Sequence, residues 1–153
     1  SETFTSVSSP IQYAAIKAFT EDHSEFLNNS RIILKTIADY IYNELLSVGI
    51  KCQSAQGGFY LICDFSDVIK KTNEIIDGKS LCKKILNEIG FAMLPGSDFG
   101  IDNEKLISRI AFVDFDGINA LKIIKKNKKL DVNILCPKIV KGINNLKLWI
   151  NKN

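Results

Sequence analysis

Between Phe26 and Val48 apolar side chains return every three or four residues, at Phe26, Ile33, Ile37, Ile41, Leu45 and Val48, and the run stops at Gly49. That spacing is the repeat of an α-helix with one buried face, and a glycine just past the last apolar position is a common way to end one. A helix of this length spans or joins lobes, so the rest of the chain must supply the layer it packs against. Downstream, Gly57-Gly58-Phe59-Tyr60-Leu61-Ile62-Cys63 is aromatic and aliphatic without helical period and reads as a strand. Residues 77–80 can cap a further helix carrying Leu81, Cys82, Ile85, Leu86 and Ile89, again ended by a glycine, Gly90. A short strand is expected over 91–94, a turn-rich loop over 95–100, and another strand over 106–113. A turn at 114–117 then leads into a helix with Leu121 and Ile124, and 138–150 reads as a last helix with Ile139, Ile143, Leu146 and Ile150 inward. At the other end, residues 1–9 are rich in Ser and Thr and run into a short helix with Pro10 in its first turn, while 22–24 offer capping residues to the long helix. Strands alternating with helices predict an α/β or α+β fold, a small mixed sheet with helices mainly on one face.

Length and composition narrow the function classes. At 153 residues with 46% hydrophobic and 24% charged residues, the chain is the size of one globular domain rather than a disordered or fibrous segment. Its net charge of +3 is small, and the lysines 122, 125, 126, 128 and 129 lack interleaved aromatics, so they read as a solvated helix end and no nucleic-acid partner is expected. No run approaches the roughly 18 apolar residues of a membrane span, and the start carries no secretion signal, so no membrane is expected and a cytoplasmic location is. The absence of an initial Met suggests a piece cut from a longer chain. Cys52, Cys63, Cys82 and Cys136 form no C-x-x-C pair, and the single His23, read as a helix-start residue, is distant in sequence from all four. Neither a metal site nor a Cys/His nucleophile is expected; reduced cysteines behave as small hydrophobes.

The chain has only two arginines, Arg31 and Arg109. Period-two geometry puts Arg109 on one strand face with Ile107, Ala111 and Val113, a guanidinium among apolar neighbours. Such a group stays charged, so it needs an anionic partner or a route to water. One reading has it lean to the sheet edge and pair with Asp114, Asp116 or a carbonyl; the other makes it an anion-binding residue of a ligand pocket. Gly96 and Gly100 let the backbone approach a ligand or a neighbouring element, but neither that loop nor Gly57-Gly58 has the spacing of a nucleotide-phosphate cradle.

Ser1-Glu2-Thr3-Phe4 to Pro10-Ile11-Gln12-Tyr13-Ala14-Ala15, then Gly57-Gly58-Phe59-Tyr60-Leu61, Pro95-Gly96-Ser97-Asp98-Phe99-Gly100 and Ser108-Arg109-Ile110-Ala111-Phe112 resemble, in order and spacing, the C-terminal part of class I/II aminotransferases. These are pyridoxal-phosphate enzymes of fold type I, and the resemblance runs from residue 1 to about 125. It implies that residues 1–20 are the last piece of the large cofactor domain. Residues 21–153 would then be the small C-terminal domain with its long connecting helix and a mixed, mainly antiparallel sheet. Arg109 matches the arginine that binds the substrate α-carboxylate, and Phe99 a position near the active-site mouth. The residues that hold the cofactor, including the catalytic lysine, lie N-terminal to the matched region in the family. The isolated chain is therefore expected to bind no pyridoxal phosphate and to be inactive alone. The parent is expected to be a homodimer, with the loop 3–8 near the neighbouring subunit's site, that moves an amino group between an amino acid and a 2-oxo acid. That loop contains no arginine, which disfavours dicarboxylate selectivity, and Ala55 stands where the family often has Pro. A lyase or synthase of the same fold would use Arg109 equally well, and a non-catalytic binding or dimerisation module is the alternative outside enzymes.

Overall fold

The computed structural model describes residues 7–126 and 130–152; residues 1–6, which include most of the loop 3–8, and the lysines 128 and 129 lie outside them. Helix α1, Ser9–Thr20, has Pro10 in its first turn and buries none of its residues. Helix α2, Ser24–Leu46, buries Ile33, Ile37, Ala38, Ile41 and Leu45, the periodic stripe. Phe26, at the head of that stripe, is a correction: it is exposed, because the first turns outrun the core and instead line an open cleft with Ile118 and Leu121. Asp22 accepts the Ser24 N–H at 2.8 Å, and His23 occupies the N-cap position.

A two-residue strand, β1 (Lys51–Cys52), precedes β2 (Tyr60–Asp64). The strand expected over 57–63 thus starts three residues later, after a turn through Gly57 and Gly58. Helix α3, Gly78–Ile89, opens on a reciprocal cap: the Asp77 carboxylate accepts the Ser80 N–H at 2.7 Å, and Ser80 Oγ accepts the Asp77 N–H at 3.0 Å. It closes at Gly90 with φ +68°, a left-handed conformation that favours glycine. The strand expected over 91–94 shrinks to β3, Leu94–Pro95, and a single 3₁₀ turn, Gly96–Phe99, follows. Strand β4, Ile107–Ala111, leads to α4 (Gly117–Lys126), a one-turn α5 (Val132–Leu135) that has no counterpart in the sequence reading, and α6 (Pro137–Ile150).

The strands order as β1-β2-β4-β3, with every pairing antiparallel. Leu61, Cys63 and Ile110 point from the sheet into one core shared with α2, α3 and α6. Ion pairing of Lys147 with Glu44 ties α6 to α2, and Trp149 Nε1 donates to Glu88 on α3. Helices therefore cover one sheet face, and the other carries the exposed Tyr60, Ile62 and Leu94. Among the described residues no helix is long and apolar enough to cross a membrane, and no cluster of three or more His, Cys, Asp or Glu could hold a metal ion.

Candidate functional site

Alternation along β4 decides where its arginine goes. Ser108 and Ile110 are buried on the helix side, so Arg109 between them emerges on the open side of the sheet. It lies opposite Ile62 on β2 and Leu94 on β3, with Tyr60 one step along the same face. Ser108 closes the inner side by donating its hydroxyl to Met93 Sδ at 3.3 Å.

Two aromatic rings hold the guanidinium. Arg109 Cζ sits 4.1 Å from the Tyr60 ring centroid and 3.9 Å from that of Phe99. Tyr60 comes from the start of β2, and Phe99 from the end of the 3₁₀ turn. The turn can reach Arg109 because its first residue has no side chain: a Cβ on Gly96 would lie 3.1 Å from the Ile107 carbonyl oxygen and 3.1 Å from the Ile101 side chain. The Ile101 N–H donates to the Gly96 carbonyl at 3.1 Å and closes the turn.

Stacking satisfies the faces of the guanidinium and leaves its in-plane N–H donors to be met. The Arg109 side chain makes no hydrogen bond or ion pair with any described residue, and its Nε is buried without a partner. The edge-pairing reading is therefore overturned. Asp114 is taken by Lys138 at 3.1 Å, and Asp116 accepts the Asn119 N–H at 3.0 Å. What remains is a half-buried, fixed cation beside apolar Ile62 and Leu94, with free donors in one plane. That arrangement suits a planar anion such as a carboxylate, which accepts two parallel N–H bonds. The turn's Ser97 hydroxyl is likewise buried without a partner.

Of the residues singled out from sequence, Arg109 and Phe99 come together in this site. Tyr60, read only as a strand residue, was missed as the second ring; its alternation with Ile62 marked a shared face, but not which strand would pair beside it. His23 and the lysines 122 and 125 line the separate cleft between α2 and α4, where Lys125 pairs with Glu25.

Both site elements fall within residues 1–117, which match the family model for aminotransferase class I and II. Over 102 residues the chain is 31% identical to an aspartate/prephenate aminotransferase of Cereibacter sphaeroides, a match covering 63% of this chain and 25% of that protein. It is also 31% identical over 96 residues to 1-aminocyclopropane-1-carboxylate synthase 6 of Oryza sativa, covering 61% of this chain and 18% of the other. The fold superposes on the crystal structure of the aspartate aminotransferase from Rhizobium meliloti with a TM-score of 0.71 at 19% identity, covering 98% of this chain and 33% of that one. The chain thus spans about a quarter or less of the curated relatives it matches. With well over half of its residues matched, including the strand that carries Arg109 and the turn that carries Phe99, this chain belongs to the class I and II aminotransferases.

Proposed function

We propose that this chain is the C-terminal part of a pyridoxal-phosphate-dependent aminotransferase, in which Arg109 binds the substrate's α-carboxylate. The observation that supports this most is the stacked guanidinium that lacks a partner of its own within the described residues. A carboxylate held by two parallel N–H bonds cannot rotate freely, so the bond to be broken at Cα takes a fixed direction. Tyr60 and Phe99 keep the guanidinium plane from turning, and Phe99 borders the opening through which substrate enters.

Bound cofactor would supply the electron sink for the reaction. The residues stacked on Arg109 or opposite it, Tyr60, Phe99, Ile62 and Leu94, include no amine and form no phosphate cradle, so they fit a substrate and not the cofactor. In this reading the cofactor-holding groups, the catalytic lysine among them, belong to the preceding part of the parent, and the isolated chain is inactive. Residues 1–20 end the large domain and 21–153 form the small one. The exposed Ile11, Tyr13, Ile16 and Phe19 of α1 support this division, since such a helix presents an apolar surface that no described residue covers. The parent is a cytoplasmic homodimer acting on an amino acid and a 2-oxo acid.

The test is to purify the longest natural product containing this chain with pyridoxal phosphate, and to follow its visible absorption while amino acids are added. A band that bleaches with particular amino acids and returns with a 2-oxo acid is expected. No band, with an upstream domain present, would overturn the reading. The rice synthase similarity favours one alternative, a lyase or synthase of the same fold, for which the band would change but no amino group would reach the 2-oxo acid.

A further inference from the structure

Strands β1 and β2 set Cys52 directly opposite Cys63 in the antiparallel ladder. Opposed residues in such a ladder share a face with Cα atoms about 4.5–5.5 Å apart, inside the roughly 4.4–6.8 Å that a disulfide spans. Cys63 is fully buried and Cys52 partly so. On the edge strand Cys52 is thus the more exposed of the two, with Cys63 directly opposite it on the core side of the sheet. As the edge strand, β1 pairs only with β2 and can adjust to a crosslink without breaking another ladder.

The two thiols are also unequal. A hydrogen bond from Cys63 to Cys52 lowers the Cys52 pKa below the ordinary thiol value, while that same bond and burial raise Cys63. Cys82 on α3 and Cys136 at the start of α6 lie outside the sheet. Burial foremost pushes each up to about 11. Accessibility and acidity therefore select the same attacking sulfur.

We propose that Cys52 and Cys63 form a dithiol redox site that closes to a cross-strand disulfide on meeting a peroxide. The Cys52 thiolate attacks one peroxide oxygen, breaking the O–O bond; an S–O bond forms, and the departing hydroxide takes up a proton. The Cys63 sulfur then attacks the Cys52 sulfur. The S–S bond forms as the S–O bond breaks, and the Cys63 proton leaves with the hydroxide as water. Two thiols lose two electrons, and one peroxide becomes two waters. The crosslink joins β1 to the row Cys63–Ser108–Pro95, one residue from Arg109.

The experiment treats the reduced 153-residue chain with stoichiometric hydrogen peroxide, blocks remaining thiols by alkylation, and maps peptides without reduction. Expected is a Cys52–Cys63 crosslinked peptide with Cys82 and Cys136 alkylated, reversed by a dithiol reductant. In Cys63→Ser the oxidation should halt at a Cys52 sulfenic acid that a dimedone probe traps, and Cys52→Ser should leave Cys63 reduced. Four alkylated cysteines, a crosslink through Cys82 or Cys136, or a disulfide between two copies would each overturn the proposal. Mapping of the unsubstituted chain decides the matter even if Cys63→Ser does not fold.

Discussion

Replacing Arg109 by Ala separates a binding arginine from a structural one, because the structure predicts opposite sizes for the two effects. Within the chain the Arg109 side chain gains two ring contacts, at 3.9 and 4.1 Å, and no hydrogen bond or ion pair with a described residue. A cation over a half-exposed ring contributes about 0.5–1 kcal/mol, so loss of both should lower the unfolding free energy of this chain by about 1–2 kcal/mol. Removing one partner of a desolvated ion pair costs about 2–5 kcal/mol, so in the full-length parent kcat/KM should fall between about 30-fold and several thousand-fold. Because every amino acid and 2-oxo acid carries the same α-carboxylate, the loss should be similar for aliphatic, aromatic and acidic substrates. Arg109→Lys keeps the charge but neither the flat stack nor the fork of donors, so most of the loss should persist. Urea unfolding of the isolated chain and steady-state kinetics of the parent over a substrate panel give the two numbers. Unchanged kcat/KM together with a stability loss beyond about 3 kcal/mol would instead make Arg109 a structural residue, since so large a loss exceeds what two ring contacts supply. A kinetic loss confined to one side-chain class would refute the reasoning equally, by moving Arg109 from the α-carboxylate to the specificity pocket.

Phe99→Ala removes one ring of the clamp and should raise KM in the parent about five-fold, the equivalent of about 1 kcal/mol, whereas Tyr60→Phe keeps its ring and should leave KM unchanged. Gly96→Ala places a methyl 3.1 Å from the Ile107 carbonyl oxygen; it should shift the turn carrying Phe99, cost about 1–3 kcal/mol of stability and reproduce the Phe99→Ala kinetics. Asp77→Ala should destabilise the chain by about 1 kcal/mol at pH 7, read as a shift of the urea midpoint at unchanged slope. Hydrogen bonds from the Ser80 backbone, then from its side chain, hold the Asp77 carboxyl below its ordinary value, so the folded state favours the ionised form. Its contribution is therefore complete above the unfolded value of about 3.9 and fades as pH falls through the lower folded value, where the Asp77→Ala difference should shrink. Asp77→Asn, which caps without titrating, should show no such fading.

The long helix and the helix ending at Gly90 were legible because each repeats one physical signal many times: a face must be buried every turn, and the run must end. β1 and β3 were not. Two residues hold no period, and Lys51–Cys52 and Leu94–Pro95 are strands only through their partners on β2 and β4. Phe26 shows the converse failure, a periodic position left exposed because periodicity marks a face without saying how far the core extends along it. Arg109 stood out as a charge on an apolar strand, but the clamp did not, since stacking depends on which strand lies beside which and on how closely the 3₁₀ turn approaches β4.

Core and site nevertheless constrain one another through a single register. Slipping β4 by one residue against β2 would turn Ser108 and Ile110 outward and drive Arg109 into the space shared with Leu61 and Cys63. An unpaired guanidinium there would cost several kcal/mol, on top of the lost burial of Ile110. The apolar residues of β4 therefore hold the arginine on the open face as firmly as they hold the helices on the other. A chain with this core must present that cation outward, where no described residue pairs with its side chain.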